Sequence, residues 1–371
     1  MKTEQKRTFY LDVARVIAII SITLNHAVNR SYDNYRSQTT EFFVIPLWST
    51  VIKTIITVFS HIGVPLFLMI TGVLILNKKI ENGSDVKRFY KHNLLSLLIT
   101  AEIWYVIMYW VLVISNGLIT KEGWLNAISG MFSTMVFLDQ TTLDCMWYMP
   151  MILCVYTTLP FVVMAKDKLS GSKDKILLLP VVVLFMVSMV FPFANNLLKM
   201  LGKDAVSTPL LESYLFSFFY IYIIVGYLVG KGLLSKLSTW TVGFAALATF
   251  LICCGYQLWA YEQPINYLVA YDFPLMPVCA GFLFELVRRC AHWFKKAQKP
   301  ITGISKIAFA IYFMHILIMN VMVQVLNQYA PDLLQPVRLL ILEVVSVGLS
   351  VAVILPLSKI KVLRRYLFLI K

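Results

Sequence analysis

Residues 9–28 read FYLDVARVIAIISITLNHAV. A helix crossing the hydrocarbon core of a bilayer needs about 20 predominantly apolar residues, and this run supplies them. Its ionisable residues are Asp12, Arg15 and His26. Lys2, Lys6 and Arg7 precede it, as basic residues precede a signal peptide, but the run is interrupted by charge and lacks a small-x-small cleavage site. It therefore reads as a retained first helix that doubles as a signal anchor.

Working outward, further spans fall near 48–77, 92–115, 146–165, 175–194, 211–230, 239–260, 268–289, 301–327 and 337–358. The second is broken by Lys53, His61 and Pro65 and follows Pro46, so it reads either as one long tilted helix with an interfacial lead-in or as a kinked one. A piece from Trp124-Leu125 to Phe137-Leu138, in the longest outer stretch, reads as lying along the membrane surface. Composition agrees with a lipid solvent. Of 371 residues 59% are hydrophobic and only 14% charged, well under the roughly 25% of a soluble domain. The expected fold is thus an all-α integral membrane protein, a single domain over 1–371 with about ten transmembrane helices.

The net charge of +14 would point to nucleic acid in a soluble protein. Here its distribution explains it. With the N-terminus in the cytoplasm, 25 Lys and Arg fall in inner segments and 7 in outer ones, with Arg15 inside the first helix. Cytoplasmic loops carry such an excess, so both termini are expected in the cytoplasm. The six cysteines form no CxxC or Cys/His cluster, so neither a metal nor a disulfide framework is called for. No Gly-rich loop follows a strand, so no nucleotide-binding fold is expected.

Charges inside a span cost about 2.5–3.5 kcal/mol on insertion scales, which makes them the first place to look for function. Arg15 and His26 are eleven residues apart. At about 100° and 1.5 Å per residue this returns to within about 20° of one face, some 16 Å further along the axis. Asp12 and Arg15, three apart, can pair. Arg15 also reads as snorkelling to headgroups and His26 as an interfacial histidine, and spacing leaves both readings open.

Several motifs occur in order. Arg7 to His26 resembles the opening of the membrane acyltransferase-3 family, which sets an Arg eleven positions before a His in LDxxRxxAxxxVxxxH. Gly63-Val-Pro-Leu-Phe67-Leu-Met-Ile-Thr71-Gly72 resembles its VPLFFMISG, with Thr for Ser. Arg88-Phe-Tyr-Lys91 resembles its cytoplasmic RxxR, with Lys for the second Arg and without the usual following Pro. Trp147-Tyr148, Tyr156 and Pro160 resemble WFLxxLxxxYxxxP, and Ile304-Ser305 to Tyr312 and His315 resembles ISxxSFxIYLxH. The resemblance covers about 7–320 and is nearest the bacterial acetyltransferases that decorate surface polysaccharides. The extra esterase-like domain that members often carry is not part of this chain.

The resemblance implies transfer of an acyl group, usually acetyl from cytosolic acetyl-CoA, to a glycan hydroxyl, in a multi-pass protein of the bacterial cell membrane. No nucleic-acid partner is implied. His26 is then the candidate general base, with a reference pKa of about 6.5, or a covalent acyl carrier. Arg15 would orient the thioester or stabilise negative charge, held by Asp12. Arg88 and Lys91 would meet CoA phosphates, although cytoplasmic loops are basic in any case. His315 and Tyr312, with Ser305 nearby, and His61 read as support or as buried hydrogen-bonded residues. Glu102 reads as a partner for one of the histidines or as a structural carboxyl. Trp147 and Tyr148 read as interfacial anchors or as a stacking platform for a sugar. The competing functional class is an exporter of a glycan or small polar solute. That reading wants paired broken helices and internal symmetry, and no repeat is visible.

Overall fold

A computed structural model describes residues 8–32, 45–115, 123–135, 146–170, 178–203, 218–263 and 267–370. Lys2, Lys6, Arg7, Arg36, Lys121, Cys145, Lys173, Lys175 and Lys371 lie outside them, as do the Phe137-Leu138 end of the surface piece and the first residues of the fifth and sixth spans. Every regular element among the described residues is helical. In chain order these are α1 (Phe9–Ser31), α2 (Leu47–Ser60), α3 (Gly63–Ile75), α4 (Gly83–Phe89), α5 (Leu95–Ser115), α6 (Gly123–Thr134), α7 (Tyr148–Ser170), α8 (Leu178–Phe185), α9 (Phe191–Met200), α10 (Phe219–Gly230), α11 (Thr239–Tyr261), α12 (Met276–Cys290), α13 (Gln298–Tyr329) and α14 (Gln335–Leu357). Single wide π turns, Tyr90–Leu94 and Met186–Val190, join α4 to α5 and α8 to α9.

Among the described residues, eight helical segments are long and apolar enough to cross a membrane. One of them, Met276–Tyr329, comprises α12 and α13 separated by the 3-10 turn Ala291–Ala297. The outer face shows what the solvent is. On α11, Trp240 and Phe244 are 90% and 75% exposed, and Leu247 and Leu251 continue the same stripe. On α14, Val337, Leu340 and Val344 do likewise, while Ser346 and Ser350 are fully buried. An apolar stripe outside and serines inside is the inverse of a soluble helix, so the protein is an all-α integral membrane protein.

The second expected span resolves into two helices. Pro65 has no N–H to bond the carbonyl four residues back, that of His61, so the ladder fails there. Ser21 of α1 donates beside the break, its hydroxyl lying 2.9 Å from Phe59 O and 3.0 Å from Ser60 O. The eighth expected span, 268–289, is corrected: its helix begins at Met276, and the preceding 267–275 is turn and irregular chain. Pro274 excludes a helical residue before it, and Pro277 suits a first helical turn. Gln257 of α11 accepts the Val269 amide at 2.7 Å, which anchors this segment.

α1 is the hub: it packs on α2, α3, α12, α13 and α14. α3 crosses α10 where both lack a side chain. A Cβ on Gly72 would overlap the Ile223 carbonyl, and one on Gly226 would overlap the Met69 backbone. Small residues permit such close approach in membranes, where packing rather than water drives helix association.

Candidate functional site

The polar stripe of α1 faces inward. Asp12 is 1% exposed and accepts three hydrogen bonds: from Ser305 Oγ at 2.7 Å, from Thr302 Oγ1 at 3.1 Å and from Arg15 Nη1 at 3.1 Å. Two of its donors stand on α13, so the carboxylate ties α13 to α1 as well as holding the guanidinium. Ser305 is spent on this contact. Thr71 of α3 donates to Phe67 O at 2.9 Å and neighbours Tyr156 of α7, which also lies within electrostatic reach of Arg15. The motif residues Arg15, Thr71 and Tyr156 thus come from three helices to one place.

Towards the other end of α1, His26 meets His315 of α13, with ring centroids 5.2 Å apart. His315 is fully buried, and its Nδ1 lies 2.8 Å from Ile311 O. A carbonyl only accepts, so Nδ1 carries the proton and Nε2 holds a lone pair. His26 is half-buried, and no hydrogen bond to its ring is present among the described residues. From this pair a run of rings crosses the bundle. Tyr312 touches His315 at 6.3 Å, Tyr148 touches Tyr312 at 5.9 Å, and Trp147 touches Tyr271 at 5.3 Å. Tyr271 in turn touches His61 at 5.0 Å. Trp147 also lies 6.0 Å from Phe219, which places it in this internal ring network.

The structure therefore brings together His26, His315, Tyr312, Tyr148, Trp147 and His61. It adds Tyr271, carried by the non-helical segment whose place the apolar reading of 268–289 concealed. His61 is fixed like His315, its Nδ1 donating to Thr57 O at 2.8 Å.

Other expected residues stand apart. Trp104 stacks on Phe313 at 5.0 Å and donates to Leu367 O at 2.8 Å. Glu102 lies two residues earlier on α5 and is half-buried. Arg88 is highly exposed and paired with Asp85 at 2.8 Å. It lines a cleft of about 420 Å³ with Lys78, Lys79, His92 and Asn93. Lys91 is exposed and is not part of that lining. A second cleft of about 500 Å³ shares Lys78 and Lys79 and adds Lys166, Lys168 and Lys231. Lys166 is buried, donating to Leu76 O at 2.7 Å and pairing with Asp167 at 2.7 Å. These lysines sit at the end of α3 nearest Thr71, hence on the Arg15 side of the bundle.

Sequence reasoning missed Glu343 of α14, which accepts from Thr23 of α1 at 2.6 Å. The rule that flagged Glu102, an acid within an apolar span, applies equally to it. It also missed Asn25, whose amide donates to Ser60 at 2.9 Å beside the α2–α3 break.

Chemically, the arrangement offers a cation held by a buried carboxylate at one level and two adjacent imidazoles at another, joined along one helix face. A basic entrance lies beyond the first level and an aromatic wall beside the second. No curated protein and no solved structure matches the chain. A family model described as an acyltransferase domain matches residues 8–355, nearly the whole chain. The protein belongs to the acyltransferase-3 family and is a membrane acyltransferase.

Proposed function

We propose that the protein moves an acyl group, acetyl first among the candidates, from acyl-CoA at the cytoplasmic face to a hydroxyl of an extracytoplasmic glycan in a bacterial cell membrane. The observation that carries this reading is the shared face of α1, on which Arg15 is tied to α13 through Asp12 and His26 meets His315 of α13 directly. Ten spans with both termini in the cytoplasm suit it: α12 and α13 cross separately, and α10 is the core-lining part of a further span. The lysine clefts then open to the cytosol, where Lys78, Lys79 and Arg88 supply charge for CoA phosphates. The acyl-bearing arm of CoA extends inward past Arg15, whose guanidinium orients it on its way towards His26. Asp12, already satisfied by Ser305 and Thr302, keeps that guanidinium aimed. His26 lies about 16 Å further along α1 and serves the acceptor. Trp147, Tyr148, Tyr271 and Tyr312 form the wall against which a sugar ring stacks.

The test is turnover of acetyl-CoA by protein in nanodiscs, followed as free CoA thiol, beside Arg15→Ala and His26→Ala. The reading expects thiol release by wild type and a fall of about 10²–10⁴-fold in the histidine variant, the range typical of a lost acid–base group. Wild type that neither binds nor cleaves acetyl-CoA would overturn it.

A further inference from the structure

The mechanism above uses one histidine, yet the bundle holds a second beside it. His315 has three features that a packing residue does not need. It is fully buried with Nε2 unpartnered, in an interior where such a polar atom is costly. Its tautomer is fixed by the Nδ1 bond to Ile311 O, which leaves the lone pair on Nε2. Its ring centroid lies 5.2 Å from that of His26, the more accessible of the two. A lone buried histidine is satisfied by its surroundings, whereas this one presents a fixed and unused base next to the candidate acyl-handling residue.

We infer that the two histidines divide the chemistry: His26 carries the acyl group, and His315 Nε2 takes the proton of the acceptor hydroxyl. This rests on the acyl-transfer reading. In the first half-reaction the lone pair of a His26 ring nitrogen attacks the thioester carbonyl carbon and the C–S bond breaks. CoA leaves as thiolate and takes the proton that the acylated ring gives up, so CoA–SH and a neutral acyl-imidazole result. In the second, the hydroxyl oxygen attacks the acyl carbon and its proton passes to His315 Nε2. The C–N bond breaks, and the departing His26 nitrogen receives that proton from His315. Both rings return neutral, and no external acid or base is consumed. A hydroxyl close enough to attack a group on His26 is next to His315, because the rings are in contact. The neighbouring Tyr312 and Tyr148 give the attached sugar ring a surface.

The experiment separates the half-reactions. Wild type and His315→Gln in nanodiscs are loaded with acetyl-CoA labelled in the acetyl group, and protein-bound label and free thiol are counted. Loaded protein is then chased with n-octyl-β-D-glucoside, whose hydroxyls need a base, or with hydroxylamine, which attacks acyl-imidazoles without one. The inference expects equal loading, at least a 100-fold slower chase by the glucoside in the variant, and an unchanged chase by hydroxylamine. Equal glucoside rates overturn it, as does a wild type that yields its label to hydroxylamine alone. A variant that does not load makes His315 a positioning residue for His26 and overturns it too. A wild type that releases no thiol instead removes the acyl-CoA reading itself, while one that releases thiol without retaining label removes only the carrier role and with it this inference.

Discussion

Asp12 shows how one side chain serves packing and chemistry together. Its carboxylate is buried among three donors, two of them neutral hydroxyls from α13. Hydrogen bonds to a charged group are worth about 1.5–3 kcal/mol each, so Asp12→Ala should lower stability by at least that amount and release Arg15. Asp12→Asn keeps part of the hydroxyl contacts and removes the charge. It should therefore melt closer to wild type than the alanine variant while losing comparable activity. Thermal unfolding in detergent set beside CoA release checks this, and an asparagine variant with wild-type turnover would show that the carboxylate is structural only. At this scale the sequence was informative because a polar group in an apolar span stands out: Asp12, Arg15, His26 and His315 were all legible. Glu343 was equally legible by the same rule and was passed over. The lone pair of His315 was not legible, since it depends on which nitrogen meets the Ile311 carbonyl.

At the scale of elements, the bundle depends on places where helices stop or touch. Ser21 donates to the Phe59 and Ser60 carbonyls beside the α2–α3 break. An ordinary intramolecular hydrogen bond is worth about 0.5–1.5 kcal/mol, so Ser21→Ala should destabilise by that amount, read as a fall in melting temperature. Gly226→Val should do more, because its Cβ meets the Met69 backbone rather than a movable side chain. The expected outcome is loss of a monodisperse peak in size exclusion, and a variant that elutes and melts like wild type would contradict the tight α3–α10 crossing. The kink was half legible: Pro65 announced it, but only the partner from α1 shows where the chain breaks. The segment 267–275 was illegible because Tyr-rich apolar chain reads as span whether it is helical or folded back. Its anchor, Gln257, comes from another helix.

Across the whole molecule, charge is sorted by job. Arg288 and Arg289 counted towards topology, yet both close on Glu285, which is fully buried, at 2.7 and 2.6 Å. Arg289 also donates to Leu234 O and Leu237 O, clamping the approach to α11. Removing these charge-assisted bonds by Glu285→Ala should cost about 1.5–3 kcal/mol, because both arginines reach solvent and Arg289 keeps its carbonyl acceptors, and should show as a lower melting temperature. Lys78 and Lys79 lie in both basic clefts. Replacing the pair by glutamine should raise the KM for acetyl-CoA by on the order of tenfold or more, since even one charge-assisted bond of about 1.5–3 kcal/mol is at stake, and leave kcat nearly unchanged. A KM within twofold of wild type would assign these lysines to topology alone. The clefts could not be read from the sequence because they join loops far apart in the chain, such as Lys78 and Lys231, whose charges each have an ordinary explanation. Fold class was legible throughout, because twenty-residue apolar spans are set by bilayer thickness rather than by tertiary context.

On the proposed reading, α1 conducts an acyl group from a donor on one side of the membrane to an acceptor on the other. The most direct measurement uses sealed proteoliposomes with labelled acetyl-CoA supplied only on the side bearing the lysine clefts. CoA thiol should appear on that side while labelled ester or acetate accumulates in the lumen, and Arg15→Ala and His26→Ala should abolish the lumenal signal. Label that stays on the donor side, or a lumenal signal indifferent to both substitutions, would contradict it.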